Sequence, residues 1–237
     1  MSLLELQSVS KRFGGLTANQ DVSFSLEKGQ IVGLIGPNGA GKTTLFNCVA
    51  GYFPPSAGSI TLEGQPIAGL PPEACARAGV GRTFQIARTF TSMTAAENVL
   101  SGALLRERKL RKAREAAMRW LAFVNLDRFA DKPSGSMTIS EQRRLAVARA
   151  LATEPKLLLM DEVMAGLNPS EVRETVDVVL KIRDQGIACL IVEHVLEGIM
   201  PIADKIVVLD RGAKIAEGPP AEVSRDPAVI HAYLGDE

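Results

Sequence analysis

Short runs of apolar, β-branched residues recur along the chain, at residues 4–9, 22–26, 31–35, 59–62, 157–160, 188–192 and 205–209. Turn-forming residues bound most of them, which predicts strands. Helical stretches lie between several of these runs. Residues 42–50 follow a glycine-rich loop, and residues 140–152 end before Pro155. Residues 170–183 are entered through Asn168-Pro169 and left before Gly186, with the cap residues a helix needs at each end. Strands alternating with helices imply a mainly parallel sheet covered on both faces. The first third, rich in strands and turns, predicts an antiparallel layer beside it.

The middle of the chain is different. From Thr94 to Val124 no strand pattern survives. Leu110, Ala113, Ala117, Leu121 and Val124 fall three and four apart, the spacing of one helix face. The expected organisation is an α/β core at 1–86 and 154–237, with a mostly helical subdomain at 87–153 inserted into it. The same stretch carries Arg106, Arg108, Lys109, Arg111, Lys112, Arg114 and Arg119 against Glu107 and Glu115. Such a run reads first as a solvated helix face, and otherwise as a contact for phospholipid headgroups or an acidic partner.

Composition narrows the classes. A length of 237 residues allows one large domain or two small ones. Lys+Arg and Asp+Glu both number 27, so bulk charge does not drive nucleic-acid binding, and none is expected. No apolar run approaches the ~20 residues that a bilayer requires. The start, Met1-Ser2-Leu3-Leu4-Glu5, lacks the basic and apolar stretches of a signal peptide. Cys48, Cys75 and Cys189 are odd in number and widely spaced, and accompany only two histidines. Neither a disulfide framework nor a zinc site is expected, and a reducing, cytosolic compartment fits.

Candidate chemistry begins at Gly36-Pro37-Asn38-Gly39-Ala40-Gly41-Lys42-Thr43, a match to G-x-x-x-x-G-K-[ST] with a strand before it and a helix after it. Glycines let successive backbone amides turn inward around phosphates, and the helix N-terminus adds roughly half a positive charge there. Lys42 is positioned for the β and γ oxygens, and Thr43 for Mg²⁺. Thr44 completes the phosphate-facing set. A P-loop also needs a carboxylate on a neighbouring strand. Leu157-Leu158-Leu159-Met160-Asp161-Glu162 supplies two: Asp161 for Mg²⁺ and Glu162 to polarise an attacking water. After the next run come Glu193 and His194, the latter a candidate γ-phosphate partner.

These elements, in this order, resemble the nucleotide-binding subunits of ABC transporters over essentially the whole chain. The resemblance rests on Phe13, the P-loop, Gln85 within Arg82-Thr83-Phe84-Gln85, a signature segment at 137–142, Asp161-Glu162, the loop Ala165-Gly166-Leu167-Asn168, and His194. Within that family the chain is most similar to the ATPase of high-affinity branched-chain amino acid importers. That narrower likeness is carried by Arg82-Thr83-Phe84-Gln85, Met93-Thr94-Ala95-Ala96-Glu97-Asn98-Val99, Asn168-Pro169 and the ending Ala232-Tyr233-Leu234-Gly235.

The resemblance implies a P-loop ATPase acting as the motor of an importer, with ATP and Mg²⁺ as its cofactors. A lipid-exporter ATPase and a soluble, non-transport ABC protein are the alternatives. It further implies that two copies, or two close paralogues, sandwich two ATPs, with Thr138 and Ser140 of one facing the P-loop of the other and Asn168 across the interface. Phe13 would stack on adenine. Gln85 would reach the metal and the attacking water, and link the site to two transmembrane permeases. Ile86, Phe90 and Met93 would line the groove for those permeases. A periplasmic or extracellular binding protein would deliver substrate, and the chain would sit on the cytoplasmic, inner face of the membrane.

Two departures stand out. Met137-Thr138-Ile139-Ser140-Glu141 replaces the family's Leu-Ser-Gly-Gly-Gln, so both glycines are absent. Thr138 and Glu141 retain a capping box, whereas the Cβ of Ser140 is expected to restrict the backbone and weaken the ATP sandwich. Val163 stands where the family has proline, which is expected to change only the stiffness of that turn.

Overall fold

The computed structural model describes residues 2–83 and 89–234. The chain opens with a long hairpin, β1 (Ser2–Phe13) and β2 (Leu16–Glu27), followed by β3 (Ile31–Ile35) and α1 (Lys42–Val49). Next come β4 (Ala57–Leu62), β5 (Gln65–Pro66), α2 (Pro72–Ala78) and β6 (Val80–Arg82). Helices α3 (Ala95–Ala103), α4 (Leu110–Phe123) and α5 (Ile139–Leu151) fill the middle. The last third runs β7 (Leu157–Asp161), α6 (Pro169–Asp184), β8 (Ala188–Val192), α7 (Leu196–Ile199), β9 (Lys205–Asp210), β10 (Ala213–Gly218), α8 (Pro220–Val223) and α9 (Pro227–Leu234).

Two sheets result. One is antiparallel, in the order β2-β1-β4-β5; the other runs β10-β9-β3-β8-β7-β6. In the second sheet β6, β7, β8, β3 and β9 are parallel, and only β10 pairs antiparallel, against β9. Every residue of β3, β7 and β8 is buried. That is the signature of central parallel strands covered on both faces, and it explains why their sequences are unbroken apolar runs.

Each face of the parallel sheet has its own core. Leu34 and Leu190 pack with Phe46 of α1 and with Leu4, Leu6 and Val22 of the antiparallel sheet. On the opposite side Leu158 and Ile191 join Val99, Leu121 and Leu145 of α3, α4 and α5, and Val179 of α6. Helices α3 and α5 cross closely because Gly102 has no side chain: a Cβ there would stand 2.3 Å from the Arg149 carbonyl oxygen.

The sheet class, the antiparallel layer and the positions of α1, α5 and α6 agree with the sequence reading. Strands β5, β6 and β10 were not expected. They are two and three residues long in the first two cases, and Ala213–Gly218 carries one β-branched residue. On α4 the buried stripe is Ala113, Ala116, Ala117 and Leu121, with Val124 just beyond; Leu110, expected on it, is half exposed at the helix start. No described helix is long and apolar enough to cross a membrane. All three cysteines are buried and free.

Candidate functional site

The loop between β3 and α1 is shaped by two glycines that no other residue can replace. Gly36 has φ +149°, and a Cβ on it would stand 2.0 Å from the Leu209 carbonyl oxygen. Gly41 has φ +93°, and its Cβ would meet the Ala18 carbonyl oxygen at 2.3 Å. The loop is held from below: Asn19 Nδ2 donates to the Gly41 carbonyl at 3.1 Å, and the Gly212 amide donates to Ala40 at 3.1 Å. Lys42 Nζ arches over the loop and donates to the carbonyls of Gly36 (2.7 Å) and Pro37 (2.9 Å). A cavity of about 480 Å³ opens here, lined by residues 38–44 with Leu16, Thr17, Ala18, Arg211 and Gly212.

Two acids and a histidine come from the neighbouring strands. β7 ends on Asp161, buried and 3.7 Å from the Arg82 guanidinium. Arg82 is itself fixed by donating to Asn47 Oδ1 at 2.6 Å and by lying over the rings of Phe46 and Tyr52. Glu162 follows with φ +49°, a left-handed conformation that L-residues with side chains rarely adopt. Its amide donates to the Val192 carbonyl at 2.8 Å, which locks that geometry to the end of β8. Its Oε1 lies 3.1 Å from His194 Nε2.

The charges interact through a partly dry interior. Burial pushes the Asp161 carboxyl up, opposed chiefly by Arg82 and reinforced by Glu162. Burial pushes Lys42 down, and Glu162 and Asp161 oppose that shift. Lys42 therefore feels both acids. Among the described residues no three His, Cys, Asp or Glu side chains gather into a metal cage. A carboxylate and a hydroxyl beside a phosphate cradle are instead the hard oxygen donors that Mg²⁺ accepts alongside a nucleotide's own oxygens.

Glu193, between Val192 and His194, is fully buried. Its Oε1 accepts from the Met164 amide at 2.8 Å. Burial pushes this carboxyl up to about 7, and the amides of Met164, His194 and Val195 pull it back in part. Beyond Met164 the loop carries Gly166 at φ +69° and reaches Asn168. Asn168 is exposed, and its Oδ1 caps α6 by accepting from the amides of Ser170 (3.0 Å) and Glu171 (3.1 Å).

At the signature segment the capping box forms as expected: the Thr138 amide donates to Glu141 Oε2 at 2.9 Å, and Thr138 Oγ1 accepts from the Glu141 amide at 3.2 Å. The expected backbone restriction at Ser140 has no basis in this geometry. Helix α5 starts at Ile139, and neither Ile139 nor Ser140 has positive φ. Serine is at ease there, and the side chain that stands out is Ile139, 71% exposed. Glycine at both positions removes helix propensity worth up to ~1 kcal/mol each. Ile and Ser already stand partway down that scale, so the two changes together cost about 1 kcal/mol, which for a chain of this size is expected to lower the Tm by about 2–4 °C in a thermal melt. An unchanged melting curve would show that the start of α5 contributes nothing to stability.

The remaining predicted residues divide. Phe13 is 41% exposed at the hairpin end, opposite the cavity-lining Leu16, with its ring edge-on to Phe53 at 5.2 Å. Gln85 and Ile86 lie outside the described residues. A second cavity, about 430 Å³, opens between the sheet and the helices and is lined by Tyr52, Arg82, Phe90, Gly102 and Arg149 among others. Phe90, 49% exposed, is among its lining residues and Met93, 40% exposed, is not. Val163, in the proline position, is buried in the core. Asn19, Arg82 and Glu193 were not anticipated as site residues. Polar side chains inside or just after apolar strand runs were their signal.

Comparison with known proteins follows the same lines. Residues 19–165 match the family model described as ABC transporter, and residues 213–237 match one described as branched-chain amino acid ATP-binding cassette transporter. The high-affinity branched-chain amino acid transport ATP-binding protein BraF of Pseudomonas aeruginosa is 42% identical, over 99% of this chain and 98% of its own. The lipopolysaccharide export system ATP-binding protein LptB of Escherichia coli is 34% identical, over 100% of this chain and 99% of its own. The crystal structure of MJ1267, an ATP-binding cassette of an ABC transporter in its ADP conformation, superposes with a TM-score of 0.91 at 31% identity, covering 100% of both chains.

Proposed function

The chain belongs to the ABC transporter family of ATP-binding cassettes, and from that premise we propose that it is the ATP-hydrolysing subunit of an importer for branched-chain or other hydrophobic amino acids. The observation that carries the hydrolytic part is the Glu162–His194 pair, 3.1 Å apart at the ends of adjacent strands, beside a buried Lys42 that feels both Asp161 and Glu162.

In this reading the amides of Gly39, Gly41 and Lys42 cradle the phosphates, and Lys42 turns from the Gly36 and Pro37 carbonyls to the β and γ oxygens. Asn38, Ala40 and Thr44 complete the wall. Thr43 and Asp161, with Gln85, would hold Mg²⁺, which would supply positive charge against the phosphates. Glu162 accepts the proton of the attacking water. His194 Nε2–H, which orients the Glu162 carboxylate at 3.1 Å before nucleotide enters, turns to the γ-phosphate once it is bound. The fixed left-handed turn at Glu162 keeps the base from swinging with the loop beyond it, a strain of order 1–3 kcal/mol held by the Val192 contact. Phe13 stacks on the adenine.

The site is completed by a second copy or a close paralogue. Thr138 and Ser140 of one subunit face the nucleotide of the other, with Asn168 at the seam. The exposed Ile139 becomes covered in that sandwich. Two permeases dock on the inner, cytoplasmic side of the membrane through the cavity bounded by Tyr52 and Phe90, and a periplasmic or extracellular binding protein supplies the substrate to them. The division into a core at 1–86 and 154–237 and a helical subdomain at 87–153 is part of the same proposal, because that cavity lies between sheet residues and α3 and α5.

The higher identity to BraF than to LptB, 42% against 34% with both matched over nearly their full length, and the match of residues 213–237 to the branched-chain amino acid cassette model favour amino-acid import over lipid export. The test is reconstitution in vesicles with the candidate permease pair and binding protein. ATP-dependent uptake of leucine is expected. Hydrolysis without uptake of any hydrophobic amino acid would sink the import reading and leave the ATPase intact.

A further inference from the structure

The loop that leaves β7 is fastened to the end of β8 at two points. The Glu162 amide donates to the Val192 carbonyl at 2.8 Å. Two residues on, the Met164 amide donates to the Glu193 carboxyl at 2.8 Å. The first tie is main chain to main chain and needs no particular side chain. The second needs an acceptor on residue 193 that reaches across to the next strand.

Several observations indicate that Glu193 is there for this contact. Its side chain is fully buried, in a position where an apolar residue would avoid the cost of drying a carboxyl. The amides of His194 and Val195 also point at the group. Even so, Oε2 completes no hydrogen bond of ordinary geometry among the described residues. Met164 is held on its other side too: a Cβ on Gly198 of α7 would stand 2.4 Å from Met164 Sδ. Met164 is thus clasped between the Glu193 carboxyl and α7, both within five residues of His194.

We propose that Glu193 is a positioning residue that ties the strand end carrying His194 to the loop running from Glu162 to Asn168. A shift of His194 toward or away from a nucleotide then moves Met164, and through it the segment that ends at Asn168. The γ-phosphate contact and the intersubunit seam are joined by one side-chain hydrogen bond. This inference rests on the roles given above to Glu162, His194 and Asn168; it adds the link between them.

The experiment compares Glu193→Met, which keeps the volume and loses the acceptor, with Glu193→Gln, which keeps an oxygen for the Met164 amide. Three readouts are taken on the full chain: steady-state ATP hydrolysis, nucleotide affinity, and amide hydrogen exchange of residues 163–168. Misplacing catalytic groups by about 1 Å costs on the order of a hundredfold in rate. Glu193→Met is therefore expected to lose about 10- to 100-fold in kcat, with the KM for ATP within about threefold and faster exchange confined to the loop. Glu193→Gln is expected to stay within about fivefold of the parent in kcat, with the loop still protected.

Equal kcat in the two variants and the parent overturns the inference. So does a loss in Glu193→Met that tracks a general fall in Tm without faster exchange at 163–168. If Glu193→Met does not fold, Glu193→Ala in its place decides: a tenfold or larger loss of kcat with faster exchange at 163–168, both restored in Glu193→Gln, supports the tie, and unchanged kcat, or a loss of kcat with protection retained, overturns it. A parent protein that does not hydrolyse ATP sinks the ATPase reading instead, so the two failures are distinguishable.

Discussion

Replacing Lys42 by alanine is expected to weaken ATP binding by about 30- to 5000-fold, the factor equivalent to ~2–5 kcal/mol for truncating one partner of a buried, hydrogen-bonded charge pair. The lysine is 5% exposed, and burial has already lowered its affinity for the proton. A cation in that position is poorly solvated, so an incoming phosphate replaces two carbonyl contacts, to Gly36 and Pro37, with a full opposite charge. The fold should survive the change. Alanine is the strongest helix former at the start of α1, and Asp161 keeps Arg82 as its partner at 3.7 Å. The loop's shape is set by Gly36, Gly41 and the contacts from Asn19 and Gly212, none of which involves the lysine side chain. Nucleotide titration followed by fluorescence, paired with a thermal melt, separates the two effects. Unchanged affinity in a folded Lys42→Ala variant would remove the P-loop assignment.

The two halves of the site differed in how far the sequence revealed them. The phosphate loop was legible because its chemistry is local. Strand, glycines, lysine and helix follow one another without interruption, and the two strained glycines are the ones the spacing requires. Asp161 and Glu162 were legible for a similar reason: an apolar run that ends in two acids is a strand delivering them to the sheet edge. The partners that adjust those groups were not. Arg82 lies 79 positions before Asp161 and reaches it only because β6 pairs in parallel with β7. With three residues, β6 carries almost no periodicity to detect. Asn19 sits in a polar stretch of β2 and is buried because the P-loop folds over it. Glu193 looked like an ordinary polar neighbour of His194 until the left-handed turn at Glu162 brought Met164 within reach. At Ser140 the expected need for positive φ does not arise, because this chain has begun a helix there, and the capping box at Thr138 and Glu141, visible in the sequence, already pointed to that helix start.

Replacing Glu162 by glutamine is expected to abolish most hydrolysis while leaving nucleotide binding in place, and so to trap an ATP-bound pair of subunits. The amide is nearly isosteric with the carboxylate, so the backbone tie to Val192 and the left-handed turn need not change. What is lost is the proton acceptor, a contribution of about 10²–10⁴ in rate for a general base. The contact with His194 Nε2 at 3.1 Å can persist, because the glutamine oxygen still accepts from the imidazole. Lys42 loses one of the two negative charges that raise its pKa and keeps the other, Asp161, so its charge and its phosphate contact remain. Binding then outlasts chemistry, and a closed sandwich with ATP at both seams has no route to open. Light scattering with Mg²⁺-ATP should give about twice the 25.3 kDa of one chain, and the monomer mass with ADP. Hydrolysis at the parent rate in Glu162→Gln would show that another group takes the proton. Slow hydrolysis without dimerisation would leave Glu162 as the base and remove the symmetric sandwich, which makes a paralogous partner chain the next species to add to the assay.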